Sequence, residues 1–286
     1  MKKNIVPNNI KDKIIQEYIN GSSILSLSKK YGYKYDKTYS IIKENNLEIR
    51  GNDFNFKKYY NDSHIFDIID TEEKSYWLGF LYADGCVMQT KSNMRLSLSL
   101  NIKDIEHLKK FKLFLNTNAP IHIYKNNHNN KYCRLQLLNK HLCEQLIRKG
   151  VYLRKTEIIT FPYFLDESLV RHFIRGYVDG DGCITYFRHN KNKNRIIFAL
   201  KICSTKEMLE SIHKFLPTNK NTDSPTLEKR RKNNVNNYSV SYGGNIQVLN
   251  ILNYLYNNSN IYLQRKYERY LLLKIIICKL YCRLYQ

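Results

Sequence analysis

The sequence lacks the features of a secreted or membrane protein. Its seven cysteines form no CxxC pair and have no histidine at zinc-like spacing, which indicates reduced thiols inside a cell. The longest apolar run, residues 271–278, is interrupted by Lys274 and is far shorter than the roughly 20 residues of a membrane span. The lysines of the amino terminus are followed by no apolar segment of a signal peptide. We therefore expect a soluble, cytoplasmic protein.

Patterns of nucleophilic, single-metal and nucleotide-driven catalysis are also missing. No glycine-rich phosphate loop occurs. Five histidines lie in separate elements, without a His-Asn-His spacing or a serine or cysteine partner. These histidines are His107, His122, His141, His172 and His213. Acidic residues are scarce: 25 Asp and Glu stand against 47 Lys and Arg, a formal net charge of +22. This balance favours a polyanionic partner, with nucleic acid as the first choice.

One motif occurs twice. Residues 76–86, YWLGFLYADGC, and residues 173–183, FIRGYVDGDGC, each have a glycine within an apolar segment and end in Asp-Gly-Cys. A glycine inside a helix costs about 1 kcal/mol relative to alanine, so Gly79 and Gly176 indicate that two helices approach closely. The two motifs are therefore predicted to be paired helices.

The pairing of the motif helices has a chemical consequence at Asp84 and Asp181. Packed helices would place these two aspartates side by side at the helix ends, where Gly85 and Gly182 let the chain turn into strands. Adjacent carboxylates repel and are tolerated mainly around divalent cations. A single Asp-Gly would be read as an ordinary helix-to-strand turn, but two copies favour a shared site.

The elements after each motif follow the same predicted order. In residues 95–103, Leu96, Leu98, Leu100 and Ile102 alternate with polar residues, which is typical of a half-buried strand. The full order is helix, two strands, helix, two strands, helix, in residues 71–165 and again in residues 166–286. This repetition predicts an internal duplication around a pseudo-twofold axis, with the motif helices at the interface.

The amino-terminal 50 residues have a different pattern. Three short helices are predicted at residues 8–20, 23–31 and 36–45, and the second and third are separated by a turn at Gly32. Asn8 or Asn9 is predicted to cap the first helix, and Ile19 is assigned to its apolar face. The predicted outward residues of the third helix are Lys37, Thr38 and Lys43. This order is that of a helix-turn-helix DNA-binding domain, joined by a linker at residues 51–70; a spacer or a protein contact is the alternative.

The two motifs resemble the LAGLIDADG motif of homing endonucleases, whose nine positions match residues 77–85 and 174–182. The second copy keeps Asp179 at the earlier acidic position, where the first copy has Tyr82. The resemblance covers about residues 71–286 and implies an α+β fold of two pseudo-symmetric αββαββα repeats. It also implies a monomer whose strands form a saddle over double-stranded DNA. The implied activity is site-specific double-strand cleavage that serves the mobility of an intron or a free-standing gene.

The resemblance also implies roles for individual residues. Two or three Mg²⁺ ions would be held by the carboxylates of Asp84 and Asp181 and the backbone carbonyls of Ala83 and Gly180. Lys155 and Lys266 would lie near the scissile phosphates and complete the catalytic set. Asp104 and Ser204 occupy the positions where relatives order water.

Basic residues on the predicted strands and hairpins are the candidate DNA contacts. They are Lys91, Arg95, Lys103, Lys125, Lys131, Arg134, Arg188, Lys191, Lys193, Arg195, Lys201, Arg230, Arg231 and Lys232, joined by Lys37 and Lys43 of the helix-turn-helix. Each one is better interpreted as a phosphate contact or a solvated charge than as a base reader.

Two other functions stay open for the same fold. An intron RNA maturase would bind RNA, and some relatives combine that role with cleavage. A transcription regulator would bind DNA without cutting it, and such proteins usually lose the motif acids. Both aspartates are present here, which disfavours the regulator. No obligate protein partner is expected.

Overall fold

The computed structural model describes residues 6–20, 22–45, 47, 59–89, 93–152, 157–189, 196–218, 224–230 and 236–284. The chain divides into two compact units, Met1–Tyr60 and Asn61–Gln286. Each unit has its own hydrophobic core.

The first unit contains three helices, α1 (Asn8–Ile19), α2 (Ile24–Tyr31) and α3 (Tyr35–Glu44). The Ser23 side chain caps α2 by accepting a hydrogen bond from the Ser26 amide, and Gly32, at φ +71°, ends the helix in the left-handed conformation. The buried core consists of Val6, Ile14, Tyr18, Ile24, Leu27, Ile41 and Ile42. The three predicted helices and the glycine turn are confirmed.

Three details of this unit differ from the sequence prediction. Ile19 is 50% exposed, because at the end of α1 it lies one position beyond the inward row that Ile14 and Tyr18 define. Thr38 is buried instead of outward, and its hydroxyl donates to the Lys34 carbonyl at 3.4 Å. Neither Asn8 nor Asn9 is the N-cap of α1: the helix follows Pro7, whose carbonyl accepts the first amide hydrogen bonds.

The second unit contains two repeats of one topology. The first repeat consists of α4 (Glu72–Asp84), β1 (Gly85–Gln89), β2 (Met94–Asn101), α5 (Ile105–Phe114), β3 (His122–Lys125), β4 (Lys131–Leu138) and α6 (Lys140–Arg148). The second consists of α7 (Glu167–Asp181), β5 (Cys183–Arg188), β6 (Ile196–Ser204), α8 (Lys206–Phe215), β7 (Leu227–Lys229), β8 (Tyr238–Gly243) and α9 (Asn245–Tyr256). Both sheets are antiparallel, in the orders β1-β2-β4-β3 and β5-β6-β8-β7. The predicted αββαββα repeats are confirmed.

Strand β2 shows how the pattern maps onto the sheet. Leu96, Leu98 and Leu100 are buried, as their alternation predicts. The strand ends at Asn101, because the Asn101 side chain accepts a hydrogen bond from the Lys103 amide and starts a 3₁₀ turn. Ile102, which the prediction placed with the leucines, is therefore half-buried in that turn.

A further helix, α10 (Gln264–Leu284), follows the second repeat. It contains the longest apolar run of the sequence and packs against α9, where the rings of Tyr270 and Tyr256 stack with centroids 5.6 Å apart. Leu273 is fully buried and Lys274 is exposed, so the helix is amphipathic. Among the helices of the described chain, none is both long and apolar enough to cross a membrane.

The two motif helices, α4 and α7, cross at their glycines. A Cβ atom on Gly79 would lie 2.0 Å from the Phe173 carbonyl oxygen, and one on Gly176 would lie 2.0 Å from the Tyr76 carbonyl oxygen. No larger residue fits at either position without separating the helices. The close approach predicted from the two glycines is therefore confirmed.

Candidate active site

Asp84 and Asp181 are the last residues of α4 and α7, and both are exposed. Each is followed by a glycine in extended conformation, so the helix passes directly into a strand. A Cβ on Gly85 would lie 2.7 Å from the Leu81 carbonyl oxygen, and one on Gly182 would lie 2.5 Å from the Val178 carbonyl oxygen. Glycine is required after each aspartate because the strand leaves the helix this tightly.

The helix crossing brings the ends of the two motifs together. A Cβ on Gly180 would lie 2.2 Å from the Ala83 Cβ and 3.5 Å from Oδ2 of Asp84. The Asp84 carboxylate therefore faces the backbone one residue before Asp181. Burial lowers the pKa of Lys266, and the negative charges of both carboxylates oppose this shift, so they act on one common group.

Lys266, near the start of α10, is only 3% exposed and lies at the end of α7. Its Nζ donates to the carbonyl oxygens of Val178, Asp179 and Gly182, each at 2.6 Å, and lies 3.2 Å from that of Gly180. The last carbonyls of a helix have no partner within it, and a cation there also interacts favourably with the helix dipole. Lys266 thus caps the motif helix that ends in Asp181.

Burial lowers the pKa of Lys266 to about 8, although the charges of Asp179, Asp84 and Asp181 act in the opposite direction. The ammonium form is therefore held next to the two motif acids near neutral pH. The other lysine with a predicted catalytic role, Lys155, lies outside the described residues.

Asp179, the earlier acid of the second motif, is completely buried. Its carboxylate accepts hydrogen bonds from the hydroxyls of Tyr76 and Tyr256, at 2.7 and 2.5 Å, and from the Leu263 amide at 2.7 Å. Burial raises the pKa of this carboxyl, against the Lys266 charge and the hydrogen bonds. Asp179 therefore connects the two motif helices with α9 and the segment before α10.

The corresponding residue of the first motif, Tyr82, forms a simpler contact. Its hydroxyl donates to the Lys149 carbonyl next to Gly150. Gly150 has φ +95°, and a Cβ there would overlap the Tyr82 hydroxyl. Where the second motif has a buried acid, the first motif thus has a neutral tyrosine that forms a hydrogen bond to the chain after α6.

Sequence reasoning missed Arg175, a fully buried guanidinium group inside α7. It donates to the Glu72 carboxylate at 2.6 Å and to the carbonyl oxygens of Ile261 and Leu255 at 2.9 and 3.0 Å. It joins the start of α4 to the end of α9 and to the segment between α9 and α10. The available signal was a charged residue within an apolar motif, at a position where the first motif has Leu78.

A pocket of about 220 Å³ adjoins Asp181, and its wall includes Tyr177, Ser204, Arg230 and Asn237. The Ser204 hydroxyl accepts a hydrogen bond from Tyr177 at 2.8 Å. The buried Oδ1 of Asn237 has no hydrogen-bond partner among the described residues. A polar pocket of this size has room for several water molecules, and the water-ordering role of Ser204 stays a prediction.

Asp104, the predicted counterpart of Ser204 in the first repeat, has a different environment. Its carboxylate oxygens accept hydrogen bonds from Arg265 Nε at 3.1 Å. The Asp104 side chain is 10% exposed, and this ion pair connects the first repeat to α10.

The donor set near the motif ends fits a hard divalent cation. Asp84 and Asp181 would supply carboxylate oxygens as metal ligands, and Gly180 would supply a carbonyl oxygen. Mg²⁺ prefers oxygen ligands of these kinds. The Gly180 carbonyl lies farther from Lys266 than the other three carbonyls do, and a carbonyl oxygen has a second lone pair. The half-buried Ala83 borders the Asp181 pocket, next to Gly180.

The candidate DNA contacts fall into three groups. Lys37, Lys43, Lys103, Lys125, Lys131, Arg188 and Arg230 are exposed, whereas Arg95, Arg134 and Lys201 are half-buried. Lys91, Lys191, Lys193, Arg195, Arg231 and Lys232 lie outside the described residues. Lys37 and Lys43 belong to the first unit and the others to the second.

The outward faces of the two sheets differ. In the first sheet, Arg134 pairs with Ser99, donates to its hydroxyl at 2.8 Å, and lies over the Tyr124 ring at 4.3 Å. In the second sheet, Lys201 is paired with Glu228 at 3.2 Å, and the exposed Phe187 lies among the outward residues.

Arg188 does not belong to the outward row of strand β5, and its role as a DNA contact stays a prediction. Side chains alternate between the two faces of a strand, and Arg188 has the same parity as the buried Ile184. Arg188 is exposed because it ends the strand.

Comparison with known proteins identifies the fold. No protein-family model and no curated protein matches the chain. Among solved structures, I-SmaMI bound to cleaved DNA aligns over 75% of this chain and 91% of its own, with 13% identity and a TM-score of 0.50. I-LtrWI bound to target DNA aligns over 76% of this chain and 92% of its own, with 14% identity and a TM-score of 0.46. I-GzeII in complex with a DNA target aligns over 72% of this chain and 91% of its own, with 13% identity and a TM-score of 0.49. Each is a LAGLIDADG homing endonuclease, and the likeness to I-SmaMI assigns that fold to this chain.

Proposed function

We propose that this chain is a monomeric, site-specific endonuclease that cleaves both strands of DNA with Mg²⁺ ions held by Asp84 and Asp181. The observation that carries the proposal is the helix crossing at Gly79 and Gly176, which brings the two motif ends together. Two carboxylates close together repel each other, and divalent cations bound between them offset that repulsion. Divalent ions at such a site activate a water molecule and stabilise the charge that develops on the leaving oxygen.

The residues around the two aspartates have separate tasks in this proposal. Asp84 and Asp181 hold the cations and orient the attacking water. Lys266 maintains a positive charge beside them and keeps the end of α7 in place through its carbonyl contacts. Tyr177 and Ser204 supply a hydrogen-bonded wall for water next to Asp181.

DNA is the proposed substrate because of the positive net charge of the chain and the outward face of the first sheet. The formal net charge of +22 favours binding to a polyanion. The outward face of the first sheet presents Arg134, which a hydroxyl and an aromatic ring hold in place, so the guanidinium is ordered for a phosphate contact. The aligned I-SmaMI structure contains cleaved DNA, which supports the same partner for this chain.

The decisive experiment separates cutting from binding. The purified chain is incubated with Mg²⁺ and the DNA that flanks its own gene at the point of insertion, and cleavage is followed on gels. We expect double-strand cleavage that requires the metal. Asp84→Asn and Asp181→Asn should each abolish cleavage but leave binding largely unchanged, since they remove metal ligands and not the strand surface.

Glu106→Gln is the matched control, because Glu106 is an exposed acid on α5 that pairs with a neighbouring lysine on the same helix. It should cleave like the wild type. Full activity in Asp84→Asn or in Asp181→Asn would contradict the catalytic assignment. Tight binding to intron RNA without any DNA cleavage would establish the maturase instead.

A further inference from the structure

The segment of residues 61–70, which precedes motif helix α4, is folded onto the first repeat. The sequence prediction placed it in a linker, but it belongs to the second unit. Phe66 is fully buried, and its ring lies 5.5 Å from that of Phe114. The Asp62 amide donates to the Leu115 carbonyl at 3.0 Å, so backbone contacts hold the segment as well.

Two histidines and an aspartate meet where this segment contacts α6. His64 Nδ1 lies 2.6 Å from Oδ2 of Asp67, and His141 Nε2 lies 2.7 Å from Oδ1 of the same carboxylate. The two imidazole rings are 4.4 Å apart, and one ligand atom from each of the three residues falls within 4.8 Å of the others. The sequence prediction assigned no site to His141. Its partner His64 is distant in the chain, so no local spacing indicates that the two residues meet.

The local backbone prearranges this cluster. The His64 amide donates to the Asp62 side chain at 2.9 Å, and the Asp67 amide donates to the His64 carbonyl at 2.9 Å, so His64 and Asp67 lie on one tight turn. Lys149 donates to the main-chain carbonyl of Asp67 at 2.9 Å and leaves the carboxylate to the imidazoles. Asp67 thus presents one carboxylate oxygen to each imidazole.

We propose that His64, Asp67 and His141 form a binding site for a transition-metal ion, with Zn²⁺ as the best match. Two imidazole nitrogens and one carboxylate are a donor set that suits zinc, and they differ from the all-oxygen donors at the motif aspartates. His64 is exposed and the other two side chains are half-buried, which leaves a fourth position for water. The ion would fasten residues 61–70 to α6 and so fix the start of motif helix α4.

Calorimetric titration of the metal-free full chain with Zn²⁺ tests this proposal. The His64→Ala and His141→Ala variants should each weaken binding by about 100-fold or more, since even outer partners of a metal ligand change affinity by about 10- to 100-fold. His128→Ala is the matched control: His128 is exposed and lies in the β3–β4 turn, away from the cluster, so its removal should change nothing.

Thermal unfolding gives an independent readout. Zn²⁺ at about 100 times the dissociation constant should raise the unfolding midpoint of the wild type by about 5–10 °C and leave the His141→Ala midpoint unchanged. Because the chain also has free cysteines, the absorption spectrum of the Co²⁺ form should show nitrogen and oxygen ligands and no thiolate. Equal Zn²⁺ binding by the wild type and both histidine variants, or a thiolate spectrum, would overturn the proposal. The Asp84→Asn Asp181→Asn double variant should retain the site, so this test does not depend on DNA cleavage.

Discussion

Lys266 and Gly182 are joined by a hydrogen bond of 2.6 Å that connects α10 to the first residue after motif helix α7. The same ammonium group reaches the carbonyls of Val178 and Asp179 in the last helical turn. Because Asp181 lies between these acceptors, its position depends on a lysine 85 residues later in the chain. The lysine thus has a structural role besides the catalytic role that the family resemblance implies.

Replacing Lys266 with methionine should therefore reduce both stability and cleavage. Three short carbonyl contacts are lost in a buried place, and unsatisfied buried acceptors cost about 1–3 kcal/mol. Urea denaturation measures the change, and Lys279→Met, an exposed site on the same helix, is the control. An inactive Lys266→Met protein with unchanged stability would show that the lysine acts in the chemistry alone.

The helix crossing makes a second prediction. Gly176→Ala places a methyl group 2.0 Å from the Tyr76 carbonyl oxygen, a backbone atom that cannot move without displacing α4. We expect a loss of about 3 kcal/mol or more, or a chain that does not fold. Gly243→Ala is the control, since a Cβ there meets no atom within 4 Å, and its effect should be within about 0.5 kcal/mol. A folded Gly176→Ala protein of normal stability would contradict the observed crossing.

His107 should make the protein sensitive to acid. Tyr76 donates its hydroxyl proton to Asp179, so its oxygen accepts from Nε2 of His107, while the buried Nδ1 of His107 has no hydrogen-bond partner in the described structure. A second proton on the ring would therefore have no acceptor. Burial lowers the pKa of His107 from 6.5 to about 3.

The direction of the pH effect follows from these pKa values. Between about pH 6.5 and pH 3 the unfolded state binds a proton that the folded state does not, so stability falls as the pH decreases, by at most about 1.4 kcal/mol per pH unit. Urea denaturation at several pH values should show a smaller decrease for His107→Gln than for the wild type, and His128→Gln should behave as the wild type. Equal decreases in all three proteins would exclude this role of His107.

The sequence was informative where a local pattern determines the structure. Gly79 and Gly176 predicted the helix crossing because glycine destabilises a helix interior unless a second backbone must come close, and the leucine alternation of β2 predicted its buried face. The partners of Arg175 and Asp179 could not be predicted, since their contacts join residues about 80 to 100 positions apart. His64 and His141 meet for the same reason: tertiary packing brings them together, and no spacing in the sequence indicates it.

The last prediction concerns the first unit, which we propose is a helix-turn-helix that extends the recognised DNA site and takes no part in the chemistry. Its exposed Lys37 and Lys43 lie on α3, and its core is its own, so its removal should leave the second unit folded. A chain that starts at Asn61 should keep cleavage and its metal requirement but lose affinity. Its footprint on DNA should be shorter on one side only, because the added unit occurs once.

Point variants of the full chain sharpen this test. Lys37→Ala and Lys43→Ala should weaken binding and decrease its salt dependence by about 0.9 per phosphate contact that is lost. Lys13→Ala, an exposed lysine of α1, should have little effect. If the truncated chain has the footprint and the affinity of the full chain, the three helices are a spacer or a protein contact, since a DNA-reading domain cannot be removed without shortening the bound site.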